Sequence, residues 1–173
     1  MMPSEQRLRV EAVLRDMLIG QSFCRVHFYG TPILYLWGPR PAGIGPWLDR
    51  SDGEDTASLY VESRWQLFDA APPRWPRSEE DLPERPMEEL VAVACGLRKN
   101  AVVDAHLGTE SPHLILTFDD GRILFINGHH DQYESWQLYA GQGKLLIVAV
   151  PGDELAMWLP EDYRQKLADE VVL

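Results

Sequence analysis

Hydrophobic positions along this chain follow two rhythms, one helical and one of strands, and each appears in both halves. From Ser4 to Leu18, the apolar residues Leu8, Val10, Val13, Leu14, Met17 and Leu18 alternate with Arg7, Arg9, Glu11, Arg15 and Asp16 at spacings of three and four. That spacing predicts an amphipathic helix, with Ser4 as its N-cap and Gly20 as its stop. Phe23 to Tyr29 and Ile33 to Trp37 read as strands. Leu59, Val61, Ser63, Trp65 and Leu67 then alternate with Tyr60, Glu62, Arg64, Gln66 and Phe68, which predicts a single half-buried strand over 59–68.

The second half repeats the order. Met87 to Leu97 reads as a short helix, with Glu88 and Glu89 suited to its positive N-terminal end. Leu114 to Phe118 and Arg122 to Ile126 flank Asp119-Asp120-Gly121, a hairpin signal because Asp-Gly tolerates the positive φ of tight turns. Strands are expected at Tyr133 to Tyr139 and Lys144 to Val150, joined through Ala140-Gly141-Gln142-Gly143. Pro151-Gly152-Asp153 is a turn, Glu154 to Leu159 an edge strand, and Glu161 to Val172 a final helix with Tyr163 and Leu167 on its inner face. Between the halves, residues 70–86 hold five prolines and predict an extended connection.

The halves also share words. Glu62-Ser63 and Trp65-Gln66-Leu67 return as Glu134-Ser135 and Trp136-Gln137-Leu138, and Ile33 to Trp37 matches Leu114 to Phe118 more loosely. Two copies are too few for a solenoid. The expected fold class is therefore α+β: an antiparallel sheet built from two similar β-meander units, about 20–68 and 96–139, within one domain spanning 1–173. Helices are expected at the N-terminus, between the halves and at the C-terminus. Trp65 and Trp136 should occupy equivalent buried positions.

Composition bounds the function more than it names one. The 173 residues are 45% hydrophobic, with six Trp, enough for a packed core without staples. No apolar run reaches membrane-span length, and the charged N-terminus lacks a signal-peptide core, so a cytoplasmic protein with no membrane partner is expected. Cys24 and Cys95, each among apolar neighbours, read as small buried hydrophobes. The net charge of −11 is uneven: residues 1–86 carry ten Lys/Arg against thirteen Asp/Glu, residues 87–173 six against fourteen. Such a field disfavours nucleic acid and would steer a basic protein partner.

Candidate chemistry is sparse. Gly128-His129-His130-Asp131, with Glu134 nearby, offers imidazoles and carboxylates, but adjacent histidines face opposite ways in a strand and no i, i+4 pair fixes a geometry. A solvated loop is the plainer reading, and no metal or other cofactor is expected. Glu62 and Glu134 form a possible acid pair if the two halves meet. Trp47, in the Pro- and Gly-dense loop of 38–55, and Trp75, in the Pro-rich connection, are either tucked against the core edge or offered to a partner. No phosphate loop, nucleophile elbow or HExxH stands in the sequence, which leans away from an enzyme.

Leu59, Val61, Trp65, Gln66 and Leu67, then Leu116, Phe118, Asp120, Gly121, Leu124, Glu134, Trp136, Gln137 and Leu138, carry a resemblance over residues 20–150. The chain resembles a group of uncharacterised bacterial proteins with a Leu-x-Val/Ile-x-x-x-Trp-Arg/Gln-Leu strand echoed in both halves. It has Gln66 and Gln137 where Arg is common. The likeness implies a fold rather than a chemistry, and it looks loosely like that of immunity proteins. The expected function is thus a non-catalytic acidic binding protein, of the immunity type against a basic bacterial toxin. The alternatives are a small-molecule or metal-dependent enzyme with a cleft near His129 and His130, and a structural or dimerisation module.

Overall fold

The computed structural model describes residues 4–29, 31–38, 57–141 and 143–170. Helix α1 (Ser4–Leu18) is followed by strands β1 (Ser22–Tyr29), β2 (Thr31–Trp37), β3 (Ala57–Val61) and β4 (Trp65–Phe68). After the Pro-rich connection, helix α2 (Met87–Gly96) leads into β5 (Val102–Leu107), β6 (Leu114–Phe118), β7 (Ile123–Ile126), β8 (Trp136–Ala140), β9 (Leu145–Val150) and β10 (Glu154–Trp158). Helix α3 (Glu161–Glu170) closes the order. The fold is α+β and antiparallel throughout, with helices at the N-terminus, between the halves and at the C-terminus.

There are two sheets, not one. A six-stranded sheet runs β1-β2-β3-β8-β9-β10 and a four-stranded sheet runs β4-β7-β6-β5. The expected single strand over 59–68 is broken at Glu62-Ser63-Arg64, and its two pieces lie in different sheets. The break is invisible to an alternation count because inward parity survives it: Leu59, Val61 and Trp65 all remain buried. What ends the strand is polar bonding. The Ser63 hydroxyl donates to the Asn127 carbonyl at 2.5 Å, and the Arg64 amide donates to the Glu79 carboxylate at 3.0 Å. With its backbone committed there, the chain leaves one sheet and enters the other.

The second half makes the reverse crossing. Its strands β5, β6 and β7 form a meander in the four-stranded sheet, and then β8 crosses to the six-stranded one. Each meander is thus completed by the other half's fourth strand. Trp65, opening β4, stands opposite Ile126, the last residue of β7. Trp136, opening β8, stands opposite Val61, the last residue of β3. The pairing of the two meanders is also irregular at matching places, between Phe23 and Arg25 in β1 and between Val102 and Asp104 in β5.

The inner faces of both sheets and the apolar stripes of the helices share one hydrophobic cluster. From α1, Val10, Val13, Leu14, Met17 and Leu18 are all fully buried, while Leu8, which the spacing assigns to the same face, is exposed. Helix α1 also covers a sheet edge. The Arg7 guanidinium donates to the Leu107 carbonyl at 2.8 Å, Glu11 accepts from the Leu107 amide at 3.0 Å, and Arg15 donates to the Ala105 carbonyl at 3.3 Å. Backbone groups on the free edge of β5 are thereby satisfied by side chains, which blocks edge-to-edge pairing.

Two cysteine assignments are corrected. Cys24 and Cys95 are both exposed. Cys24 is the extra residue of the β1 bulge, which takes it out of the inward alternation. Cys95 lies on the solvent side of α2, whose inner face is supplied by Leu90 and Ala94.

Candidate functional site

The two crossings lie against each other. The Glu62 amide donates to the Ser135 carbonyl at 3.0 Å, and the Asn127 amide donates to the Arg64 carbonyl at 2.9 Å. This contact brings Glu62 and Glu134, equivalent in the sequence pattern but 72 residues apart, to one amide. The Gln137 Nε2 donates to Glu62 Oε1 at 2.9 Å and to Glu134 Oε2 at 2.6 Å. Its other end is also fixed, because the Tyr139 hydroxyl donates to Gln137 Oε1 at 2.8 Å. A primary amide has two N–H donors, and here both serve carboxylates.

These groups occupy the outer face of the six-stranded sheet. In β3 and β8, Leu59, Val61, Trp136 and Leu138 are buried while Tyr60, Gln137 and Tyr139 alternate with them and point away from the core. Register places Tyr60 opposite Gln137. The Tyr60 and Tyr139 rings lie 5.0 Å apart and tilted, and on the next strand the Arg25 guanidinium sits 4.2 Å above the Tyr35 ring. Burial, and then the neighbouring Glu134 carboxylate, push the Glu62 carboxyl above its usual range, against the opposing pull of the Gln137 hydrogen bond. Burial also raises the Tyr60 phenol, with Tyr35 and Tyr139 adding to it, so its hydroxyl stays protonated at neutral pH. The surface therefore presents two mutually repelling carboxylates flanked by tyrosine rings. Chemically it is suited to a cation.

The His129-His130-Asp131 loop is exposed at Asp131 to Glu134 and carries specific side-chain contacts at its two histidines. His129 Nδ1 lies 2.7 Å from Asp153 Oδ1, and its Nε2 is 3.9 Å from Asp131. His130 turns elsewhere: its Nδ1 accepts from the amides of Gln132 and Tyr133, both at 3.0 Å, and its ring packs on Tyr133. The adjacent imidazoles thus serve different partners. Among the described residues, no group of three or more His, Cys, Asp and Glu side chains is placed to hold a metal ion. Burial alone would raise the Asp153 carboxyl, but hydrogen bonds with Ser111 and His129 bring it below its usual range.

Beneath this loop lies His113, one of the second half's other histidines. It is buried, and its Nδ1 accepts the Gly128 amide at 2.9 Å. Burial pushes its pKa down to about 4, so the ring is neutral across the physiological range. Gly128 is required by close approach: a Cβ there would fall onto the Pro112 carbonyl. The same carbonyl accepts the Trp136 indole N–H at 2.8 Å.

Of the two loop tryptophans, Trp75 is tucked in. It stacks on Phe125 with centroids 5.9 Å apart and meets Phe68 edge-on. With Leu82, it covers the outer face of the four-stranded sheet at Ile115, Ile123 and Phe125. Trp47 lies outside the described residues.

A model for a family of unknown function, DUF6188, matches residues 51–159, more than half of the chain. The chain belongs to DUF6188. The match contains β3 to β10, so both sheet-to-sheet crossings and the carboxylate pair fall inside the DUF6188 region. No curated protein and no solved structure matches the chain. Among the described residues no helix is long and apolar enough to cross a membrane.

Proposed function

We propose that this DUF6188 protein is a binding protein that takes a basic protein partner, by its arginine side chains, on the outer face of the six-stranded sheet. The observation that carries the reading is the sharing of one Gln137 amide nitrogen by Glu62 and Glu134. Two like charges held together have an unmet need for a cation, and a guanidinium meets it with two parallel hydrogen bonds. Tyr60 and Tyr139 add ring faces of the kind on which a guanidinium packs. Tyrosine is enriched at binding surfaces for its large contact area at low entropic cost. The net charge of −11 would speed the encounter and make it sensitive to salt.

The two crossings and the matching bulges support reading the halves as copies of one unit, with the carboxylate pair at the place where the copies meet. The loose likeness to immunity proteins suggests a basic bacterial toxin as the partner, in the cytoplasm.

An arginine-rich peptide is the first probe. Octa-arginine should bind the wild-type protein and shift the Gln137 side-chain amide resonance. The Glu62→Gln/Glu134→Gln protein should bind about tenfold more weakly at the same salt concentration, a loss comparable to one charge-assisted contact. That variant keeps most of the negative charge, so equal binding by both proteins would mean non-specific attraction and would sink the reading. The same pair of proteins then serves as baits in a pull-down from the source cells, where a basic protein should be retained by the wild type alone.

A further inference from the structure

A cleft opens on the outer face of the four-stranded sheet. It lies between the end of β5 and the Pro-rich connection and holds about 390 Å³, within the usual size of a small-molecule site. Its floor is apolar: Ile115 and Phe125 stand opposite each other in β6 and β7, and Trp75 lies parallel to Phe125, with an interplanar angle of 16°. Its rim is basic, with Arg7, Arg74 and Arg77 all lining it. In a chain carrying 27 acidic and 16 basic residues, three arginines on one cleft run against the composition.

The arginines are not equally committed. Arg7 is paired with Glu11 at 3.3 Å and holds the Leu107 and Thr109 carbonyls, so it acts as part of the wall. Arg77 reaches Asp81 only at 3.8 Å, and both side chains are largely exposed. Arg74 is exposed and makes no ion pair or hydrogen bond among the described residues. The acidic counterweights are Glu110 on the rim and Asp104, which is engaged with His106 at 3.0 Å and Arg15 at 3.4 Å. A free guanidinium, a weakly paired one and a flat aromatic wall thus converge on one opening.

We propose that this cleft binds a small organic anion with a flat apolar body, a carboxylate or a phosphate monoester. The body lies on the half-buried Trp75 ring, which is itself backed by the buried Phe125 and Ile115, and the anionic head meets Arg74 and Arg77. The site is independent of the carboxylate pair, which sits on the outer face of the other sheet.

Naphthalene-2-carboxylate and 2-naphthyl phosphate are the probes, with the neutral naphthalene-2-carboxamide as comparison. Titration followed by the Trp75 indole N–H resonance should give saturable binding of at least one anion. The amide should bind roughly tenfold or more weakly, the loss expected for a charge-assisted hydrogen bond. Whichever anion binds more tightly identifies the head group. Arg74→Ala should weaken the anion by a similar factor and leave the amide unchanged, while Arg164→Ala on α3 should change neither. Thermal melts should show the fold of Arg74→Ala unchanged, since the side chain is exposed. No saturable binding at millimolar anion, equal binding of anion and amide, or an unaltered affinity in Arg74→Ala would each overturn the proposal.

Discussion

The indole N–H of Trp136 donates to the Pro112 carbonyl at 2.8 Å, in a site where Trp136 is wholly buried. This bond ties the start of β8 to the loop before β6, so the strand that joins the first meander to β9 and β10 is anchored from the other sheet. Trp65, at the matching position, is 7% exposed and has Arg85 beside its ring. Trp136→Ala should therefore cost about 3–5 kcal/mol, near the upper range for a large aromatic, and Trp65→Ala less. Trp136→Phe should still cost about 1–3 kcal/mol, because it strands a buried carbonyl. Urea denaturation of the three variants measures the order.

Gly128→Ala should be clearly destabilising. A methyl group there meets the Pro112 carbonyl and the His113 amide, which are backbone and have no rotamer to yield. Overpacking of this kind typically costs about 1–3 kcal/mol and more where nothing can move. The variant should show a lowered Tm and weakened protection from hydrogen exchange over 127–135.

Stability should fall as the solution is acidified below neutrality, and His113 should account for much of the fall. Its pKa is depressed from 6.5 to about 4, so between those values the unfolded chain binds a proton that the folded chain refuses. The contribution is present above pH 6.5 and is lost as pH drops toward 4; its full size is on the order of 3 kcal/mol. In His113→Asn, whose amide oxygen can still accept from Gly128, the slope over that window should largely disappear. An unchanged slope would assign the acid sensitivity to other groups.

Glu62 should act in the opposite sense. Its carboxyl is raised, so its contribution is present at pH values below its ordinary range and is lost as pH rises through the raised value. Glu62→Gln should then be neutral in acid and slightly stabilising at pH 7. The group is only partly buried, so the gain should stay within about 0.5 kcal/mol. Paired melts at pH 4 and pH 7 suffice.

His130→Ala should cost about 1 kcal/mol rather than nothing, because its Nδ1 accepts two backbone amides that otherwise lack a partner in the loop. Asn at this position should recover part of the loss.

Much of the fold was legible from periodicity, for reasons specific to each element. The Asp119-Asp120-Gly121 hairpin forms as read, with Gly121 at φ 86°. Helix α3 buries Tyr163 and Leu167 as its spacing requires. The two-sheet layering was not legible, because a strand that changes sheets with its parity intact looks like one that does not. The carboxylate pair was half legible: the repeated Glu-Ser marked the two residues, but only the contact between the crossings brings them to Gln137. His113 stands in the sequence only as one more imidazole of the second half, with nothing to mark it as buried. Its role depends on Gly128, fifteen residues on, coming within hydrogen-bonding distance of its ring.

The exchange of fourth strands has a consequence for the order in which the protein can be made. Strand β3 ends at Val61, and its partner β8 begins at Trp136, so on a ribosome the first meander emerges with one edge open. At about 5–20 residues per second, that edge waits several seconds for its partner. During the wait, the open edge of β3 is a template for any extended chain, including the same strand of a neighbouring nascent copy. Neither half closes its own sheet, so neither is an independent folding unit, and a chain truncated before residue 136 should be held by chaperones or aggregate. The molecule should behave as a clasp that locks only once β8 has been synthesised.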